Sequence, residues 1–119
     1  MRTRSRRRGK YGAIRTKLDG FSFDSRAEAR RYAELKLMQM AGAISGLSVH
    51  PVYVLQDPFK LAGKTIRGIA YEADFEYLDD SDLIAEDVKG IQTEVFKIKR
   101  KMFLKKYPHI ELRLIGVKK

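Results

Sequence analysis

The chain has 119 residues, enough for one domain around one core, and 44% of them are hydrophobic, the share of a folded protein. It has no cysteine, which excludes disulfides, thiol catalysis and thiolate-held zinc. No apolar run is long enough to cross a bilayer or to form the core of a signal peptide, so a cytoplasmic protein with no membrane partner is the expectation.

The formal charge of +10 is unevenly spread. Residues 1–17 carry eight Lys/Arg and no acid, and residues 94–106 carry six against one acid. Residues 68–88 carry eight acids and no base. A basic chain with an acidic centre suits a polyanion gathered round a cation site. The plainer reading is a solubilising charge pattern with a solvated tail. Basic arms of this length point to a nucleic-acid partner.

Residues 1–17 lack apolar periodicity, and Gly9 and Gly12 break any helix, so a basic arm is expected, with Arg6, Arg7 and Arg8 as phosphate contacts. The folded domain is expected over 18–119. Asp19-Gly20 signals a turn before a short extended piece in which Phe21 and Phe23 share a face. A helix is predicted over 25–41, with Asp24 or Ser25 as N-cap and Gly42 after its end. Glu28, Tyr32, Leu35 and Gln39 share its inner stripe. An inward carboxylate needs a partner. Glu28 either reaches a metal site or, in the pattern Ser25-x-x-Glu28, closes the helix end as a capping box.

Residues 43–48 read as a connection and 50–55 as a strand, with Pro51 near an edge. His50 and His109 are set aside as ligands, because neither has a second ligand at metal-site spacing. Residues 56–64 read as a loop and 65–78 as one long strand. Its alternation puts Ile69, Tyr71, Ala73, Phe75 and Tyr77 on one face and Glu72, Asp74 and Glu76 on the other. Glu72 and Glu76 are read as a solvated face. Asp79-Asp80-Ser81-Asp82 is a hairpin turn, so the next strand, 83–89, should pair antiparallel with it. Along that strand Leu83, Ala85, Asp87 and Lys89 share one face; Ile84, Glu86 and Val88 share the other. Glu86 is therefore structural or supports the site from behind.

An acid on one strand and acid-x-lysine on the next form a small polar cluster. Asp74 and Asp87 suit a hard divalent cation, Mg²⁺ or Mn²⁺. Lys89 beside them can orient a water or steady charge developing on a phosphate. That is the chemistry of metal-dependent phosphodiester hydrolysis. Thr93 is the N-cap of a second helix over 94–106. Val95, Ile98, Met102 and Lys106 mark its inner stripe. Lys97, Arg100, Lys101 and Lys105 form an outer stripe, placed to hold phosphates or simply to face solvent. Residues 110–114 alternate as a last strand. No Gly-rich phosphate loop and no Gly-x-Ser-x-Gly motif is present, which disfavours nucleotide-dependent and nucleophile-elbow enzymes.

The order helix, three strands, helix, strand, with acids at these places, resembles the core of the PD-(D/E)XK nuclease superfamily. Asp87-Val88-Lys89 matches the (D/E)-x-K half, Ala73-Asp74 stands where the superfamily has Pro-Asp, and Glu28 matches a first-helix acid that many members carry. Residues 23–37, Tyr71-Glu72-Ala73-Asp74-Phe75 and Glu86-Asp87-Val88-Lys89-Gly90 resemble a family of small phage and prophage proteins assigned to that superfamily, which also includes Holliday-junction resolvases. The resemblance implies an α/β fold of restriction-endonuclease type, a mixed sheet flanked by helices in αβββαβ order. It implies a Mg²⁺- or Mn²⁺-dependent endodeoxyribonuclease of a phage or prophage, working in recombination or packaging. Asp74, Asp87 and Glu28 would hold the metal, and Lys89 would complete the catalytic set. Some relatives carry a glutamine near the site on the second helix; Gln92 precedes Thr93 and falls just outside that helix. A homodimer is expected only for a four-way-junction substrate, which needs two symmetric cuts. The alternative on the same fold is a non-catalytic DNA-binding accessory. An RNA-binding protein is a third reading, disfavoured because the aromatic residues fall on core faces.

Overall fold

The computed structural model describes residues 15–116. It is a mixed α/β domain with a mixed sheet and two helices, in which strands predominate. Arg6, Arg7 and Arg8 lie outside the described residues. Thr16 and Lys17, expected at the end of the arm, instead belong to strand β1 (Thr16–Leu18), which pairs antiparallel with β2 (Phe21–Phe23). Asp19 and Gly20 close this hairpin with φ of 54° and 84°, the double left-handed turn that Asp-Gly favours.

Helix α1 (Arg26–Met40) starts at the N-cap Ser25, whose Oγ accepts the Glu28 N–H at 3.2 Å. Tyr32 and Leu35 are buried, as their spacing predicts. Gln39 is exposed, and its Oε1 accepts the Leu47 N–H.

The central sheet has the order β10–β9–β8–β3, made of β3 (Ser45–Val49), β8 (Phe75–Asp79), β9 (Asp82–Lys89) and β10 (Ile110–Gly116). β3, β8 and β9 run antiparallel in succession. Helix α2 (Glu94–Lys106) then carries the chain over, and β10 lies parallel to β9. Residues 84–87 of β9 are all buried, because a helix covers each face. On one side Phe23, Tyr32, Leu35, Ile44, Phe75, Tyr77 and Ile84 pack beneath α1. On the other, Tyr53, Leu55, Tyr71, Ala73, Ala85, Phe96, Phe103 and Ile110 pack with α2.

Four short strands, β4 (Val52–Gln56), β5 (Phe59–Leu61), β6 (Lys64–Ile66) and β7 (Ile69–Glu72), form a ribbon between β3 and β8. β4 pairs with β7 and β5 with β6, both antiparallel.

Several expectations change. The connection expected at 43–48 contains the edge strand β3. Its Gly46, with φ of 66°, sits in a register shift between Ser45 and Ser48, so a bulge glycine imitates a loop signal. The strand expected at 50–55 exists as β4 but belongs to the ribbon, and the loop expected at 56–64 holds a hairpin. The single strand expected over 65–78 is three pieces, broken at Arg67-Gly68 and again at Asp74: Tyr71 and Ala73 face α2, while Phe75 and Tyr77 face α1. In α2 the inner residues are Phe96 and Phe103. Val95 and Ile98 are 61% and 58% exposed, and Lys106 is exposed. Two phenylalanines bury more apolar area than the aliphatic stripe beside them, and the helix turns to suit them. Among the described residues no helix is long and apolar enough to cross a membrane.

Candidate metal centre

The break at Asp74 sets the geometry of the site. The Asp74 N–H donates to the Glu86 carbonyl at 3.0 Å, and the Val88 N–H donates to Asp74 Oδ2 at 2.7 Å. The side chain thus serves a backbone donor of β9, which fixes the carboxylate against the strand that carries Asp87 and Lys89. From across the ribbon's base the His50 N–H donates to the Asp74 carbonyl at 2.9 Å, and His50 itself has a left-handed backbone with φ of 58°. The chain therefore turns at His50 with its ring beside the break.

Glu28 arrives from the first turn of α1. Its Oε1 accepts the Asp24 N–H at 3.2 Å, so it does serve the helix start. It also lies in the site: one ligand atom each from Glu28, His50 and Asp74 fall within 4.8 Å of one another. Serving the helix start leaves Glu28 with lone pairs to spare, because that hydrogen bond occupies only one acceptor direction of a carboxylate that has several.

Asp87 is buried. Tyr71 donates its hydroxyl to Asp87 Oδ2, and Lys89 Nζ lies 3.6 Å from Oδ1. The Lys89 ammonium also stands 4.3 Å from the centre of the Phe96 ring, a cation–π contact that holds it at the mouth of the cluster. Burial pushes the Tyr71 phenol up, and the Asp87 charge adds to that, so Tyr71 remains a donor.

These acids repel one another. Burial first, then the charges of Asp87 and Glu28, push the Asp74 carboxyl up to about 8, against the opposing Val88 hydrogen bond. Burial also raises the Glu28 carboxyl; the Asp24 and Asp87 charges add to the rise, while the Asp24 N–H and Lys89 oppose it. One lysine beside three carboxylates leaves the cluster short of positive charge. Hard oxygen donors with one imidazole nitrogen fit a divalent cation such as Mg²⁺ or Mn²⁺.

Glu28, Asp74, Asp87 and Lys89, named from the sequence, are thus brought together. His50, which has no ligand at local metal-site spacing, stands with Glu28 and Asp74. Its partners lie 22 residues before and 24 after it, so no local spacing announces it. His109 is exposed, with its ring beside Tyr107. Glu86 faces α1, away from Asp87: Arg31 holds it by Nε–H to Oε1 at 2.8 Å and Nη2–H to Oε2 at 2.6 Å, and Tyr77 donates its hydroxyl to Oε2. Glu72 is exposed as read, but Glu76 is half-buried and accepts the Tyr53 hydroxyl at 2.6 Å. Gln92 is exposed and precedes α2. Lys97 and Lys101 are exposed on α2, Lys97 at 3.3 Å from Glu94. Arg100, expected on the same outer stripe, is half-buried with its Nε enclosed and unpartnered.

Residues 8–119 match the family described as Protein of unknown function (DUF1064). The chain belongs to that family. No curated protein matches this DUF1064 chain, and no solved structure matches it.

Proposed function

We propose that this DUF1064 protein is a divalent-metal-dependent DNA endonuclease with a core of PD-(D/E)XK type. The observation that carries the reading is the grouping of Glu28 and Asp74 with His50, with Asp87 beside Asp74 and Lys89 3.6 Å from Asp87. The succession α1, β3, β8, β9, α2, β10 supports it, since it follows the αβββαβ order of that core.

Glu28, Asp74 and Asp87 would hold the ion, with His50 as a nitrogen donor beside them. A divalent ion in such a set supplies positive charge to a phosphodiester and makes water more acidic. The chain's own groups do the rest. Tyr71 and the Val88 N–H hold Asp87 and Asp74 in one orientation. Lys89, steadied by Asp87 and Phe96, offers an ammonium to the charge that grows on phosphorus oxygens during in-line attack. Lys97 and Lys101 contact the DNA backbone next to the cut, and the N-terminal Arg6, Arg7 and Arg8 add phosphate contacts. The setting is the cytoplasm of a bacterium that carries a phage or prophage.

The test is cleavage of plasmid, flap and four-way-junction DNA with Mg²⁺ or Mn²⁺. Wild type should cut at least one of them. Asp87→Asn should abolish cutting, and Lys89→Ala should slow it by about 100-fold or more while leaving DNA affinity nearly unchanged. A wild type that binds DNA in low salt yet cuts no substrate with either ion would reduce the protein to a DNA-binding accessory on the same fold. Junction cutting in paired nicks would call for a homodimer.

A further inference from the structure

The ribbon formed by residues 52–72 grows directly out of the metal centre. Its two ends are His50-Pro51 and Ala73-Asp74, and they are tied together: the Ala73 N–H donates to the Pro51 carbonyl at 3.0 Å, next to the His50–Asp74 bond. Its outer half, β5 and β6, is exposed throughout, and among the described residues these two strands pack chiefly on each other.

The direction of this outer half is fixed at its neck. A Cβ on Gly68 would stand 2.6 Å from the Gln56 carbonyl oxygen and 3.1 Å from Pro58, so the two strands cross there too closely for any side chain. Beyond the neck, Phe59 faces Ile66, Lys60 faces Thr65 and Leu61 faces Lys64. Phe59, Leu61 and Ile66 are 45%, 63% and 38% exposed. Between residues 58 and 71 the chain holds Lys60, Lys64 and Arg67 and no acid, whereas residues 72–88 hold eight acids and no base. Basic charge is thus concentrated on the part of this segment that projects.

We propose that the outer ribbon is a second nucleic-acid contact, laid into a groove of duplex DNA, with Lys60, Lys64 and Arg67 on the phosphates and Phe59 and Leu61 against the groove floor. The class of partner rests on the nuclease reading above. A two-stranded β-ribbon fits the major groove, and apolar side chains can meet thymine methyls there. From Pro51 to Ala62, at roughly 3.3 Å per residue, the tip reaches at most about 36 Å from the metal centre. That is about one turn of duplex, so the ribbon touches DNA within one turn of the cut. Charge argues against a second copy of the chain as the occupant. Two apposed ribbons would set three bases against three with no acid between them.

The experiment measures affinity for a 30-base-pair duplex across a salt series, with Ca²⁺ in place of the catalytic ion. It compares wild type with Lys60→Gln/Lys64→Gln/Arg67→Gln and with the charge-keeping Lys60→Arg/Lys64→Arg/Arg67→Lys. Removing the three charges should lower the slope of log affinity against log salt by about 2–3 and weaken binding at least ~10-fold. The charge-keeping variant should follow wild type, and Mn²⁺ binding by calorimetry should be equal in all three. An unchanged slope in the charge-removed variant overturns the ribbon inference, even if wild type cuts DNA. A lowered slope in a protein that never cuts supports the ribbon contact and sinks the nuclease reading instead. A dimeric wild type that becomes monomeric with Phe59→Ala/Leu61→Ala, at unchanged DNA affinity, assigns the ribbon to self-association and overturns the inference.

Discussion

Two carboxylates on neighbouring positions of β9 show how a face decides a residue's role. Glu86 and Asp87 are both buried, yet they point to opposite sides of the sheet and meet different partners. Arg31 satisfies Glu86 with two parallel bonds, and the carboxylate in turn raises the guanidinium's pKa, so this pair is a structural fastening between α1 and the sheet. Arg31→Met should strand a buried negative charge. A loss of about 3–5 kcal/mol in denaturant unfolding is expected, with metal affinity retained per folded molecule. Asp87 has a half-exposed lysine and a tyrosine instead, and lies beside Asp74.

Asp74 makes the metal-free protein sensitive to pH. Its folded value of about 8 lies above its ordinary 3.8, so between those values the folded state binds a proton that the unfolded state releases. The stability gained is fully present below about pH 4 and is lost as pH rises through about 8. Asp74→Asn keeps an oxygen for the Val88 N–H and removes the charge. In chelator, its melting temperature should match wild type near pH 4, exceed it increasingly as pH rises to about 8, and keep a constant lead above that. Parallel melting curves for the two proteins would contradict the raised value.

At the scale of elements, the turns and caps obey local chemistry. Asp19-Gly20, Ser25 and Thr93 stand where turn and cap rules place them, and Thr93 Oγ1 accepts the Phe96 N–H at 3.1 Å. The tip of the outer ribbon is the exception. Ala62 has φ of 52° before Gly63 at 79°, a left-handed pair in which alanine is costly. Ala62→Gly removes the Cβ penalty, which exceeds the extra chain entropy glycine loses on folding, and should stabilise the hairpin by a few tenths of a kcal/mol up to about 1 kcal/mol. Amide hydrogen exchange across β5 and β6 should slow accordingly. The exposed aliphatic stripe of α2 follows from the same competition between elements. Phe96 and Phe103 settle into the pocket lined by Tyr53 and Tyr71, and Val95 and Ile98 are left outside.

For the whole molecule, the acidic cluster joins parts distant in sequence. Glu28 lies on the helix under one face of the sheet, while Asp87 and Lys89 point to the face that α2 covers. An ion bound there ties α1, the base of the ribbon and β9 into one unit. Divalent metal should therefore stabilise the fold by mass action, by about 2.7 kcal/mol at 100 times the dissociation constant, which corresponds to a rise of about 10 °C in melting temperature. His50→Ala and Glu28→Gln should each shrink that rise, and Mn²⁺ should lose more than Mg²⁺ with His50→Ala, since imidazole favours the softer ion. Equal shifts in wild type and both variants would place the ion elsewhere.

The sequence by itself determined what short-range chemistry can encode. Period-two alternation put Asp87 and Lys89 on one face and Glu86 on the other, cap residues marked both helices, and the turn at residues 79–82 made β8 and β9 neighbours. Tertiary structure decided the remainder, because long-range pairing sets it. Ser45–Val49 is a strand only because Phe75–Asp79 is there to pair with it. Phe75 and Tyr77 leave the face of Tyr71 and Ala73 because a break at Asp74 lets each pair fill a different core. His50 becomes a candidate ligand only when β3 delivers it to that break. An isolated histidine between a serine, a valine and a proline carries no trace of a carboxylate 24 residues away, for the free energy that joins them resides in the sheet between and in neither local segment.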